Sequence, residues 1–139
     1  MSGTADARSS GALRGLRILV AEDEYFIADE IAEALADAGA EVAGPMATVA
    51  EALHAAQDEA LDGAILDVNL SGRMVWPVVD VLAARGVPVV LATGYDAGVI
   101  PPAHAHLPRC EKPAEAHEVA RALATSIAAA GERRARGQP

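Results

Sequence analysis

The sequence predicts an α/β chain: a doubly wound parallel sheet of five strands with helices on both faces. Three observations predict it. Short, continuously apolar runs alternate with longer stretches whose apolar residues recur every four positions, the signatures of buried strand and amphipathic helix. Glycine and proline stand between many of these stretches and punctuate them. The alternation of strand and helix continues along the chain, which requires crossover connections and therefore a parallel sheet.

Each element has its own signal. Residues 1–14 begin small, polar and non-periodic (MSGTADARSSG), hold no apolar signal-peptide core, and are assigned to a disordered leader. Residues 17–21 (RILVA) form the first strand. Residues 24–38 follow as a helix, with Ile27, Ile31 and Leu35 on one face and Gly39 as its stop. Residues 41–43 make a short second strand closed by Gly44 and Pro45. Thr48 and Glu51 have the spacing of a capping box, and the helix they open carries Val49, Leu53 and Ala56 inward. Residues 63–67 are the third strand and 70–72 a turn. A third helix runs from about Pro77 to Ala84, because proline is tolerated in a first turn, and Gly86 ends it. Residues 87–92 (VPVVLA) are the fourth and most apolar strand.

Residues 94–106 (GYDAGVIPPAHAH) break the pattern. Alternation asks for a fourth helix, but Pro101 and Pro102 remove donors and disfavour α geometry before them, so this helix is predicted short or mobile. His104 and His106 within it are expected to face solvent. Residues 107–110 are a weak fifth strand. The last helix spans 114–130, with Val119, Leu123 and Ile127 four apart and Gly131 as its stop. The folded domain is thus 15–131, and 132–139 (ERRARGQP) is a polar tail. With right-handed crossovers, a chain of this length favours the flavodoxin-like strand order 2-1-3-4-5.

Bulk composition narrows the function. A chain of 139 residues that is 52% apolar supports one domain with a sizeable core, and 3% aromatic content leaves that core to Ala, Val, Leu and Ile. A formal charge of −9 argues against a nucleic-acid surface. The single cysteine, Cys110, excludes an internal disulfide and suits a reducing, cytoplasmic setting, and it is expected to be packed rather than reactive. No stretch approaches the roughly 20 apolar residues of a membrane span.

The chemistry sits at strand ends. Glu22 and Asp23 follow the first strand, Asp67 ends the third, Thr93 follows the fourth, and Lys112, with Pro113 behind it, follows the fifth. In an open parallel sheet those ends line the crevice where ligands bind. Three clustered carboxylates repel unless a cation joins them, and oxygen ligands suit Mg²⁺ or Mn²⁺. An ammonium and a hydroxyl opposite that ion make a pocket for a phosphoryl group, and Asp67 can attack phosphorus to give an acyl phosphate. Taken singly, each acid also fits a solvated loop, Lys112 an ordinary surface lysine, and Thr93 a strand residue bonded to backbone. Their coincidence at matching strand ends favours the site. Trp76 lies near the Asp67 loop as a helix-start packing residue and offers a fluorescence reporter. The four histidines show no metal-binding spacing.

These motifs (ILVAED, LDVNL, LATG and EKP) closely resemble the receiver domain of two-component response regulators over residues 16–130. The resemblance implies roles. Glu22 and Asp23 would be the acidic metal pair, Asp67 the phosphoacceptor and third ligand, and Asn69 the donor of a backbone carbonyl to the metal. Thr93 would be the switch hydroxyl and Lys112 the phosphate-contacting lysine. Two departures matter. Receivers usually carry Tyr or Phe three residues before the lysine, and here that place is Arg109. The fourth strand reads PVVLATGY, similar to the alphaproteobacterial single-domain subgroup nicknamed for its FATGUY motif, with Leu91 where that motif has Phe. Tyr95, or the segment 94–106, is then a candidate to report phosphorylation in place of the missing aromatic, and a partly buried loop anchor is the alternative for Tyr95.

The implied function is a phosphoacceptor switch and not an enzyme on external substrates. It would be phosphorylated by a sensor histidine kinase or phosphotransfer protein, and would act by contacting an unknown downstream protein or passing the phosphate onward. It would exist as a monomer or a phosphorylation-dependent dimer. Three other classes were weighed. An aspartate-nucleophile phosphohydrolase would place a second Asp where Asn69 stands. A nucleotide- or flavin-binding domain would carry G-x-G-x-x-G or G-x-x-x-x-G-K-[ST], and neither occurs. A degenerate receiver used only for binding would not keep all five groups.

Overall fold

The structure is a computed structural model that describes residues 11–94, 100–112 and 114–137. Its strands are β1 (Arg17–Ala21), β2 (Glu41–Met46), β3 (Gly63–Asp67), β4 (Asn69–Leu70), β5 (Arg73–Met74), β6 (Val89–Thr93) and β7 (Arg109–Glu111). Its α-helices are α1 (Tyr25–Asp37), α2 (Val49–Asp58), α3 (Trp76–Ala84) and α4 (Ala116–Ala135). One parallel sheet of five strands has the order β2-β1-β3-β6-β7, while β4 and β5 pair only with each other. Without that small hairpin the order is the predicted 2-1-3-4-5.

The alternation of side chains along a strand explains the two layers. Ile18, Val20, Ile65 and Val90 face one way and pack with Ile31 and Leu35 of α1 and Val119 and Leu123 of α4. Leu19, Leu66 and Leu91 face the other way and pack with Val49 and Ala52 of α2 and Val78 and Leu82 of α3. Both β3 and β6 are buried at every position, as central strands covered on two sides must be. Each such Leu or Ile side chain contributes about 1.5–3 kcal/mol by leaving water. Alanine shares the buried faces of α1, α2 and α4 with larger aliphatics, whereas α3 buries Val78, Val79 and Leu82. At Gly63 even a Cβ would stand 2.9 Å from Ile127 Cδ1, so α4 crosses β3 closely.

Local signals set most helix ends. Thr48 Oγ1 accepts from the Glu51 amide at 3.1 Å, and the Glu51 carboxylate accepts from the Ala47 amide at 3.1 Å, which is the predicted cap reaching one residue further back. Gly39 ends α1 with φ +92°, where the Ala40 amide reaches back to Leu35 O at 3.0 Å.

Several predicted boundaries are corrected. Leu13, assigned to the leader, is fully buried among Ile18, Leu35 and Ala38, and its amide donates to Ala38 O at 2.9 Å. A lone apolar anchor in a polar stretch has no periodicity to reveal it. The second strand does not stop at Ala43. It continues to Met46 through a register shift, with Leu19 opposite Ala43 and Ala21 opposite Met46. The predicted turn at 70–72 is the tip of the β4–β5 hairpin. The last helix starts at Ala116 and runs through Gly131 to Ala135, absorbing part of the predicted tail. Ala130 is buried there, and Arg133 and Arg134 in the last turn suit the negative end of the helix dipole.

Of the segment predicted short or mobile, residues 95–99 lie outside the described residues. The remainder makes a 3-10 turn at Pro102–His104, with Ile100 and Leu107 packed against the core. His104 is not solvent-exposed as expected. Its ring stacks on Trp76 with centroids 5.1 Å apart, and Nε2 lies 3.2 Å from Asp80 Oδ1. Cys110 is partly buried and packed, and burial together with Glu118 raises its thiol pKa. Among the described residues, no helix is long and apolar enough to cross a membrane.

Candidate functional site

The strand ladder brings the predicted groups to one edge. Ala21 pairs with Leu66, Asp67 with Ala92, and Thr93 with Glu111. The residues at the carboxyl ends of β1, β3, β6 and β7 therefore surround one crevice. The Lys112 amide donates to Thr93 O at 2.6 Å, which fixes the step from β7 onto the end of β6.

Asp67 and Glu22 are buried acids, and Asp23 is exposed. Lys112 Nζ lies 2.9 Å from Asp67 Oδ2 and 2.7 Å from Glu22 Oε1, so one ammonium bridges two carboxylates. Backbone amides hold the remaining oxygens. Glu24 N–H donates to Glu22 Oε2 at 3.0 Å, Asn69 N–H to Asp67 Oδ1 at 3.2 Å, and Ser71 N–H to Asp23 Oδ2 at 2.7 Å. The Asn69 side chain is engaged locally, its Oδ1 accepting from the Gly72 amide at 2.9 Å.

Electrostatics follow from burial. Desolvation pushes the Glu22 carboxyl up to about 7. The Lys112 ammonium and the Glu24 amide oppose that rise, and the Asp67 charge adds to it. For Lys112, burial alone would lower the pKa, but the hydrogen bonds to Glu22 and Asp67 outweigh it and raise it. Three acids against one ammonium leave excess negative charge in a chain that is already at −9. One carboxylate oxygen from each of Glu22, Asp23 and Asp67 can be chosen so that all lie within 4.8 Å of one another. An all-oxygen set this compact, with three carboxyl groups against one ammonium, fits a hard divalent cation with ligands at about 2.0–2.1 Å.

Thr93 is fully buried, and its Oγ1 finds no hydrogen-bond partner among the described residues. A buried hydroxyl left this way costs about 1–3 kcal/mol, and an incoming anionic oxygen would satisfy it. Arg109 lies exposed on edge strand β7, opposite Leu91. Tyr95 and Pro113 lie outside the described residues. Sequence reading missed two features. Ser71 was taken only as part of a turn, although its Ser-Gly pair is a turn signal. Tyr25 and Phe26, 74% and 79% exposed, stand edge-to-face directly beyond the acidic pair.

No protein-family model and no curated protein matches the chain. Solved structures do match. SdrG from Sphingomonas melonis Fr1 is 36% identical, with 87% of this chain and 98% of that one covered and a TM-score of 0.70. A response regulator receiver protein from Sinorhizobium medicae WSM419 is 23% identical, with 83% and 96% covered and a TM-score of 0.72. A CheY-like response regulator receiver domain protein from Methanospirillum hungatei JF-1 is 21% identical, with 85% and 98% covered and a TM-score of 0.75.

Proposed function

We propose that the chain, which has the fold of response regulator receiver domains and is 36% identical to SdrG over 87% of its length, is a phosphoacceptor switch modified on Asp67. The observation that carries the reading is the buried Asp67 carboxylate, held 2.9 Å from Lys112 Nζ with the Glu22 and Asp23 carboxylates beside it. Glu22, Asp23 and Asp67, with the Asn69 carbonyl, would hold Mg²⁺ or Mn²⁺, and the bound ion supplies charge neutralisation on the phosphoryl oxygens.

A carboxylate oxygen of Asp67 attacks phosphorus in a phosphohistidine of a sensor kinase or phosphotransfer protein. An O–P bond forms, the N–P bond breaks, and the electron pair leaves with the imidazole, which takes a proton from solvent. Lys112, already within hydrogen-bond reach of Asp67, pairs with a phosphoryl oxygen. The buried Thr93 hydroxyl donates to another. A Thr93 hydroxyl so engaged pulls on the end of β6. Asn69 stands where a hydrolase would keep an acid–base Asp, which supports a stored acyl phosphate rather than turnover of external substrates. The exposed Tyr25–Phe26 pair at the mouth of the site supports a protein partner there. The LATG stretch supports placement in the FATGUY subgroup, with Tyr95, one place nearer the Gly than the motif's Tyr, as the candidate reporter of modification. A cytoplasmic setting is part of the same proposal.

Intact mass after incubation with Mg²⁺ and acetyl phosphate tests this. The expected result is one added phosphoryl group, absent from Asp67→Ala and from samples with EDTA. An adduct that survives in Asp67→Ala would overturn the assignment.

A further inference from the structure

We propose that Ser71 is a positioning residue for the metal site, holding the Asp23 carboxylate so that it can share one divalent cation with Glu22 and Asp67. The inference rests on the metal reading above and goes on to say what makes that site competent.

The three acids are held in different ways. Glu22 and Asp67 are buried, and each accepts an amide from the residue two positions on, Glu24 and Asn69. Their orientation is local and needs little from the rest of the fold. Asp23 is exposed, and its amide comes from Ser71, 48 residues away, at 2.7 Å. An exposed carboxylate without such a tether samples several rotamers. Its contribution to a shared ion then depends on the hairpin that carries Ser71.

The hairpin is built to deliver that amide. Leu70 pairs with Arg73, so Ser71 and Gly72 form a two-residue loop. Their φ angles are +50° and +87°, both in the left-handed region, as in a type I′ turn. The first position of that turn favours Asn, Asp or Gly, and Ser is the only non-glycine residue with positive φ among those described. Strain of this kind persists where surrounding contacts impose it. Here the contact is visible: Ser71 Oγ donates to Ala47 O at 2.9 Å, in the loop between β2 and α2. The hydroxyl ties the loop tip to the segment after β2 while the amide reaches Asp23 after β1, the neighbouring strand. Groups that orient metal ligands in this way commonly change affinity about 10-fold to 100-fold when removed.

The test is a Mg²⁺ titration by calorimetry on the full chain, with unfolding temperatures measured in EDTA. Ser71→Gly keeps the left-handed turn and loses the hydroxyl tie. It should weaken Mg²⁺ binding by roughly 10-fold, while its metal-free unfolding temperature stays level or rises. Ser71→Asn accepts positive φ and offers a side-chain N–H to Ala47 O, and it should restore affinity. Wild-type affinity in Ser71→Gly would overturn the proposal, as would a joint fall in affinity and stability that Ser71→Asn does not rescue. Asp23→Asn separates the two readings. It should abolish tight binding, and an unchanged affinity in that variant would sink the metal site itself and this inference with it.

Discussion

Glu22 and Asp23 are neighbours in sequence with opposite environments, and their difference is testable through pH. The Glu22 carboxyl has a folded pKa of about 7 against an ordinary value of 4.5, chiefly because it is buried. Between those values the folded chain holds a proton that the unfolded chain has released. Stability from this group is complete below about pH 4.5 and is lost as pH rises through about 7. Glu22→Gln, which keeps the shape without the charge, should therefore raise the unfolding temperature in EDTA at pH 8 and change it little at pH 4.5. Equal gains at both pH values would contradict the burial argument. The grouping of the candidate residues was legible at this scale, because Asp67, Thr93 and Lys112 announce themselves by residue type just at or beyond an apolar run. Ser71 was not legible, since its role depends on an amide and a φ angle, and neither is written in the side-chain alphabet.

At the level of elements, the signals that read best were those with a purely local cause. The Thr48–Glu51 cap and the Gly39 stop depend on a few consecutive residues, and both are present in the structure. Thr48→Ala should cost about 1 kcal/mol by orphaning the Glu51 amide, measurable by urea denaturation, and a loss near zero would mean water caps the helix equally well. The misreadings all have a tertiary cause. Gly131 resembles a helix stop, yet α4 continues past it with Ala130 still buried. Gly44 and Pro45 resemble a strand stop, yet pairing with β1 resumes at Met46. Proline and glycine in 94–106 announce an irregular segment correctly, but they say nothing of His104 settling on Trp76. In each case a neighbouring element overrides the local preference.

At the scale of the whole molecule, both ends of the sheet gather acids around one cation. At the amino ends of the strands, Arg17 pairs with Glu41 and Glu59 while its amide binds Asp62, tying β1 to the entries of β2 and β3. At the carboxyl ends Lys112 likewise stands among three acids, two of them buried. The domain also begins earlier than its sequence suggests, since Leu13 closes the layer formed with α1. Leu13→Ala should cost about 2–5 kcal/mol in a chemical denaturation series, and a surface-like loss below about 0.5 kcal/mol would return Leu13 to the leader. The Lys112 bridge has a kinetic meaning. A divalent ion entering the crevice would compete with an ammonium that cannot diffuse away, whose effective concentration is set by its tether at roughly millimolar or above. When the ion departs, that ammonium needs only a side-chain rotation to return, on the order of picoseconds to nanoseconds where the chain is free to turn. The resting arrangement would thus be restored from within once such an ion had left.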